Sequence, residues 1–261
     1  MIGRARRAAA ALLRRGGWSA VRQSALQETR RLAETGAKAQ RLGMVPDGEL
    51  RQALEVLPES RSQLNQDVFV LSRLGWKRGG YFVEFGATDG KTLNNTWLLE
   101  TRFGWTGILA EPARGWREPL QAAGRTAALD FDCVWSRSGE RLAFAETGWK
   151  DISTLAAFAA HDGHDRRASR RYQVRTVSLG DLLARHGAPP VIDYLSIDTE
   201  GSELEILGAF DFAAHRFRCI TCEHNFTAAR AEIHALLSRH GYRRVFEELS
   251  GFDDWYVSED T

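Results

Sequence analysis

The sequence predicts an α/β protein: a mostly parallel seven-stranded sheet with helices on both faces, an antiparallel edge strand and an N-terminal basic helical arm. Three observations predict it. From Ser62 onward, short apolar runs ending in acids or turn residues alternate with segments of helical periodicity. That is the pattern of strands buried on both faces and joined by crossover helices. The last two runs meet around Ser250-Gly251 and read as an antiparallel hairpin at the sheet edge. Finally, residues 1–60 differ in composition from everything that follows.

Residues 1–60 are expected to form the arm. "MIGRARRAAAALLRRGGWSAVRQ" carries Arg4, Arg6, Arg7, Arg14, Arg15 and Arg22, and no acid precedes Glu28. Alanine, leucine and arginine favour helix, with Gly16-Gly17 as a break. The apolar stretch from Ala8 to Leu13 is too short for a secretory signal and lacks a clear cleavage site. Two readings stand: a basic amphipathic helix making peripheral contact with an anionic membrane or touching a partner, or a frayed basic leader or packing arm. A second helix is expected over about 48–57, ending at Pro58.

Residues 61–261 are expected to form the main domain. Its strands are "YFVEF" (81–85), "TGILAEP" (106–112), "AALDFDCVW" (127–135), "VIDYLSID" (191–198), "FRCITCEH" (217–224), "YRRVFEEL" (242–249) and "DDWYVSE" (254–259). Helices are expected near 93–102, 114–123, 178–186, 202–209 and 227–240. No internal repeat or low-complexity segment is visible.

The totals narrow the function. A net charge of +1 over 261 residues gives no sign of a nucleic-acid partner. No run approaches the roughly 18 apolar residues of a membrane span. Three cysteines argue against a disulfide framework, and the default compartment is the cytoplasm. Cys219 and Cys222 form a C-x-x-C, but inside an apolar strand and with no second pair. A redox C-x-x-C opens a helix, so buried structural thiols are the better reading.

The chemistry concentrates in "YFVEFGATDGKTLNN" (81–95). Gly86 and Gly90 lie where the first strand meets a helix, the place where doubly wound sheets bind ligands. Glu84 precedes that turn, and Glu111 ends the next strand 27 residues later, where an acid takes the two hydroxyls of a ribose. The turn lacks G-x-G-x-x-G and has neither Lys nor Ser/Thr in a P-loop arrangement, and acids would repel a pyrophosphate. S-adenosylmethionine, with an amine, a sulfonium and no phosphate, suits acids better.

Together "SQLNQDVFVL", "YFVEFGATDG", "GILAEP", "CVWSRSGERLAF", "VSLGDLL", "DYLSIDTEGSELEILGAFDF" and "ITCEHN" resemble the FkbM family of S-adenosylmethionine-dependent methyltransferases over about residues 61–258. "IDTEGSELEIL" is the most specific piece. The resemblance implies a Rossmann-like class I methyltransferase fold. It implies that Glu84, Gly86 and Gly90 line the methionine end of the cofactor, with Asp89 beside it and Glu111 on the ribose. It also implies that Asp132 and Cys133 edge the adenine and that Gln63 and Asp67 close over the cavity. Thr88 stands where the family more often has Asn, which touches detailed contacts and not the fold.

Methyl transfer to a hydroxyl needs an aligned acceptor and a base. "SIDTEGSE" and "CEHN" end two strands, making Asp198, Glu200 and His224 the candidate catalytic residues. Asp198, Glu223 and His224 are candidate ligands for a divalent metal. Helix capping is the rival reading of Asp198, a core position that of His224, and a solvated helix face that of Glu203 and Glu205. Residues 149–177 are the candidate acceptor lid, with Trp149 to stack on a sugar and Arg166, Arg167, Arg170 and Arg171 to meet an anion; a solvated basic helix is the rival. The expected reaction is O-methylation of a sugar, glycan or secondary-metabolite hydroxyl. The rivals are a non-catalytic methyltransferase-fold binding subunit and a nucleotide-sugar or NAD-using Rossmann enzyme.

Overall fold

The computed structural model describes residues 36–148, 152–160, 165–166 and 168–259. The arginine-rich leader to residue 35, Trp149 and Arg167 lie outside the described residues. The chain divides into two units, Met1–Leu42 and Gly43–Thr261. In the first, residues 36–40 are helical. The second takes in residues 43–60, which the composition had assigned to the arm. Their polar groups join it: Ser60 Oγ donates to Asp67 (2.8 Å), and Glu49 accepts from Ser72 Oγ (2.9 Å) and Trp76 Nε1 (2.8 Å).

Within the larger unit the strands are β1 (Tyr81–Phe85), β2 (Thr106–Ala110), β3 (Ala128–Asp130), β4 (Cys133–Trp135), β5 (Arg141–Glu146), β6 (Thr154–Leu155), β7 (Arg170–Ser178), β8 (Val191–Ile197), β9 (Arg216–Glu223), β10 (Tyr242–Val245) and β11 (Asp253–Ser258). The α-helices are α1 (Leu50–Val56), α2 (Gln66–Arg73), α3 (Trp97–Phe103), α4 (Arg114–Ala122), α5 (Leu179–Arg185), α6 (Glu203–Gly208) and α7 (Ala229–Arg239). Seven strands form the main sheet in the order β10-β11-β9-β8-β1-β2-β3. Chain order reverses between β1 and β8, the two central strands.

The antiparallel strand is not at the edge, as expected, but one place in. β11 pairs antiparallel with both β9 and β10, and β10 forms the border. Burial explains the choice. All six residues of β11 are buried, whereas β10 carries Arg243 and Arg244 and has only Tyr242 buried. Arginines on an edge also deter pairing with other chains.

The run expected as one strand over 127–135 splits. Asp130 turns its side chain back to accept the Asp132 backbone N–H (2.9 Å), together with Arg185 and His186. Such an aspartate turn breaks the strand. The chain then passes into a second, four-stranded sheet, β4-β7-β5-β6, which sequence periodicity did not announce. Residues 170–177, offered as part of a basic helix, all lie in β7 of that sheet. Its core joins Cys133, Phe144, Leu155 and Val174 to Ala113.

Strand alternation sorts the main sheet's side chains. Val83 and Phe85 of β1 pack with Leu182 and Leu183 of α5, Ile206 and Leu207 of α6, and Ile233 and Leu237 of α7. Phe82 and Glu84 point to the opposite face, toward α2 and α3, where Phe69 stacks on Trp255 at 4.8 Å.

Candidate functional site

A cavity of about 700 Å³ opens at the carboxyl ends of β1, β2, β8 and β9. That is the size of a small-molecule site, at the switch point where such sheets bind ligands. β1 and β8 meet tightly there. Gly86 has φ +75°, and a Cβ on it would lie 2.0 Å from the carbonyl oxygen of Asp198. Only glycine satisfies both conditions. The rim is strained as well. Of the eight non-glycine residues with positive φ among the described residues, five line the cavity: Thr88, Leu93, Glu200, Asn225 and Phe226. Such strain gathers where ligands bind.

On the β2 side, Glu111 is buried and lines the cavity. Its Oε1 accepts the Ala113 N–H (2.7 Å) and its Oε2 the Thr88 N–H (3.0 Å). Desolvation, opposed by those two bonds, pushes its pKa up to about 7. Each carboxylate oxygen has a further lone pair for a ligand hydroxyl. Thr88 acts through its backbone, so threonine in place of asparagine leaves this contact intact. Beyond Glu111, Trp116, Cys133, Val134, Phe144 and Leu155 make an apolar wall. The second sheet supplies most of it.

Several expected cofactor contacts are placed elsewhere. Glu84 does not line the cavity. Its carboxylate accepts from Asn94 Nδ2 (2.9 Å), the Asn95 N–H (2.9 Å) and Thr96 Oγ1. Arg125, bonded to Asn94 and Thr96, closes the network. Glu84 therefore fixes the loop before α3, and that loop presents Asn95 to the cavity. Asp89 caps its own turn through the Lys91 and Thr92 N–H groups. Gly90 turns against Leu120 of α4, and Asp132 pairs with Arg185. Asp67 is buried under Ser60. Gln63 does line the cavity, as does Gln66, which sequence reading did not single out.

At the other end Asp198, Glu200 and Glu223 converge, with one carboxylate oxygen of each within 4.8 Å of the others. Arg166 Nη2 donates to Glu200 Oε2 at 2.7 Å, and both side chains are buried. Asn225 Nδ2 adds a longer contact at 3.3 Å. Burial, then the neighbouring charges of Asp198 and Glu200, raise the Glu223 pKa. His224 stands outside this group. It is 4% exposed and off the cavity wall; its Nδ1 accepts the Phe226 N–H (3.0 Å), and its Nε2 faces Asp254 at 3.8 Å. His224, expected as a base or metal ligand, is thus not brought together with the three carboxylates. Glu203 is no solvated helix residue either: it is buried and accepts the Thr199 and Gly201 N–H groups. The residue at the start of α6 is Ser202, four residues after Asp198.

The electrostatics are one-sided. Among the described lining residues four are carboxylates (Glu111, Asp198, Glu200, Glu223), and none is lysine, arginine or histidine. Arg166 lies behind Glu200 and not on the wall. Among the described lining residues the phosphates of a dinucleotide or nucleotide sugar would meet no basic side chain, whereas a cationic ligand would meet carboxylates.

The family description "Methyltransferase FkbM domain" matches residues 84–244, more than half of the chain. Among solved structures the chain is similar to Methyltransferase FkbM from Methylobacillus flagellatus KT, at 13% identity and a TM-score of 0.46. That alignment covers 88% of this chain and 60% of the other, so this chain spans less than two thirds of that chain's length. It is also similar to a fibrillarin/NOP5P complex, at 12% identity and a TM-score of 0.35, covering 75% of this chain and 79% of that one. No curated protein matches the sequence.

Proposed function

Since the chain belongs to the FkbM methyltransferase family, we propose that it binds S-adenosylmethionine in this cavity and methylates a hydroxyl of a sugar, glycan or secondary metabolite. The observation that carries the reading is the charge of the wall: four carboxylates and no basic side chain among the described lining residues. When bound, S-adenosylmethionine supplies a methyl group on a positively charged sulfur. The sheet order, with its reversal between β1 and β8, supports a Rossmann-like methyltransferase architecture.

Glu111 would hold the ribose hydroxyls through lone pairs its backbone bonds leave available. Val134, Phe144 and Leu155 would cover the adenine, and the Gly86 turn with Asn95 would flank the amino-acid end. The acceptor enters between Leu93 and Phe226, two large apolar side chains left exposed at the rim. Asp198, on the wall and less buried than Glu200 or Glu223, is the group proposed to take the acceptor's hydroxyl proton.

Titration calorimetry with S-adenosylmethionine and with NAD tests the reading. Binding of the first alone, weakened in Glu111→Gln, is the expected result. NAD binding, or no response to millimolar S-adenosylmethionine, overturns it. Mass spectrometry of hydroxylated acceptors for an added methyl group then tests the reaction.

A further inference from the structure

Two large apolar side chains at the rim of the cavity are left in solvent. Among the described residues five large hydrophobics are exposed, and two of them, Phe226 (73%) and Leu93 (47%), line the cavity. Both have positive φ, 57° and 54°, which bulky residues rarely adopt. Strained backbone that presents apolar surface to water points to something that covers it.

Neighbouring residues lock both positions. Leu93 follows Thr92, whose N–H and Oγ1 donate to Asp89 (2.6 and 2.7 Å), and precedes Asn94, which donates to Glu84 (2.9 Å). Phe226 is held by His224, the residue of "CEHN" that lies off the cavity wall. His224 Nδ1 accepts the Phe226 N–H at 3.0 Å, its ring meets the Phe226 ring edge-on at 5.2 Å, and its carbonyl accepts the Thr227 N–H (2.8 Å). Phe252, also on the wall, fastens the same turn by accepting the His224 N–H at 2.9 Å.

Whatever covers this rim also meets the acids. Asn225, the residue before Phe226, lines the cavity and donates to Glu200 at 3.3 Å, so apolar rim and carboxylate end are continuous. A wholly polar sugar would leave Phe226 and Leu93 wet. A wholly apolar molecule would strip water from the carboxylates and give them no donor in return. A hydroxylated head joined to an apolar group satisfies both ends.

We propose that the acceptor is such an amphiphile, with its apolar chain or ring packed on Phe226 and Leu93, and that His224 is the positioning residue that holds Phe226 there. This names the acceptor class for the methyltransferase reading above and rests on that reading. Each methylene covered at the rim is worth roughly a factor of four in affinity.

The test uses the full chain with S-adenosylhomocysteine present to prevent turnover. The probes are octyl β-D-glucoside, kept below its micelle-forming concentration, and methyl β-D-glucoside, both followed by ligand-observed NMR. The octyl compound should bind at least about tenfold tighter, from two or more covered methylenes. That ratio should fall at least about threefold in Phe226→Ala and in Leu93→Ala, two exposed positions whose variants should keep the parent melting temperature. His224→Ala should lower the ratio too, and His224→Asn, which keeps an acceptor, should restore it. Should His224→Ala fail to fold, His224→Phe, which keeps a ring without the acceptor, must lower the ratio. Equal weakening of both probes overturns the positioning role. No octyl glucoside binding at millimolar concentration, or a ratio unchanged in Phe226→Ala and Leu93→Ala, overturns the acceptor class. A dimer that Phe226→Ala dissociates, or binding to phosphatidylcholine vesicles that it abolishes, also overturns it, because another chain or a bilayer would then cover the rim. S-adenosylmethionine binding without the octyl preference leaves the proposed function standing and removes this inference; the preference without S-adenosylmethionine binding does the opposite.

Discussion

Glu111 Oε2 accepts the backbone N–H of Thr88 at 3.0 Å, tying the end of β2 to the glycine turn after β1. This acid is buried, and its pKa rises from 4.5 to about 7. As pH rises through that interval the unfolded chain ionises Glu111 while the folded chain keeps its proton. The group's stabilising contribution is therefore complete below about pH 4.5 and lost as pH passes about 7. Its ceiling is roughly 3 kcal/mol. Urea unfolding at pH 5 and pH 8 should show ligand-free protein less stable at the higher pH. Glu111→Gln should flatten that difference.

Gly86 and Gly79 both have positive φ, but only Gly86 is crowded by backbone. Gly79→Ala, with nothing within 4 Å of a new Cβ, should cost about 1 kcal/mol of conformational energy. Gly86→Ala meets the Asp198 carbonyl at 2.0 Å and must push β1 and β8 apart. Several kcal/mol of destabilisation, on the order of a severe core mutation, is expected in thermal unfolding. Comparable melting temperatures for the two variants would contradict the close approach.

Glu84 now predicts a folding defect more than a loss of ligand contact. Glu84→Ala strands Asn94, the Asn95 N–H and Thr96, and should destabilise by about 3 kcal/mol or more. Glu84→Gln keeps an acceptor and should lose less. If Glu84→Ala weakens S-adenosylmethionine binding at full stability, its carboxylate touches the ligand after all.

The Arg166–Glu200 pair is buried on both sides. Removing either partner alone leaves a buried charge, at roughly 3–5 kcal/mol. In a double-mutant cycle, Arg166→Met and Glu200→Gln together should be less destabilising than the sum of the single changes. Strict additivity would show that the ion pair is not formed.

All three cysteines are free and buried. Burial pushes the Cys133 and Cys219 thiols up to about 12 and Cys222 well above its ordinary value. Native protein at pH 8 should react with no thiol reagent over minutes, and unfolded protein with three equivalents. Fast labelling of the C-x-x-C would reopen a redox role.

Most of the main sheet was legible because a strand buried on both faces writes itself as an apolar run. β1 was read at its observed bounds, and α4 and α5 to within one residue. Glu84 was misplaced by ignoring alternation. It shares a face with Phe82, under α3, and so cannot follow Phe85 into the cavity. His224 was misplaced for another reason: at a strand end the loop geometry, not the strand, sets where a side chain points, and Asn225 and Phe226 both take positive φ there.

By itself, then, the sequence determined the layered α/β fold, the glycine at the switch point and the acid at the end of β2, because each depends on local pattern or on a single residue's stereochemistry. Tertiary structure alone decided the second sheet, the inward position of β11 and the meeting of Asp198, Glu200 and Glu223 over Arg166. Those features arise between segments far apart in the chain. Burial and charge balance select among pairings there, and no run of neighbouring residues encodes the outcome.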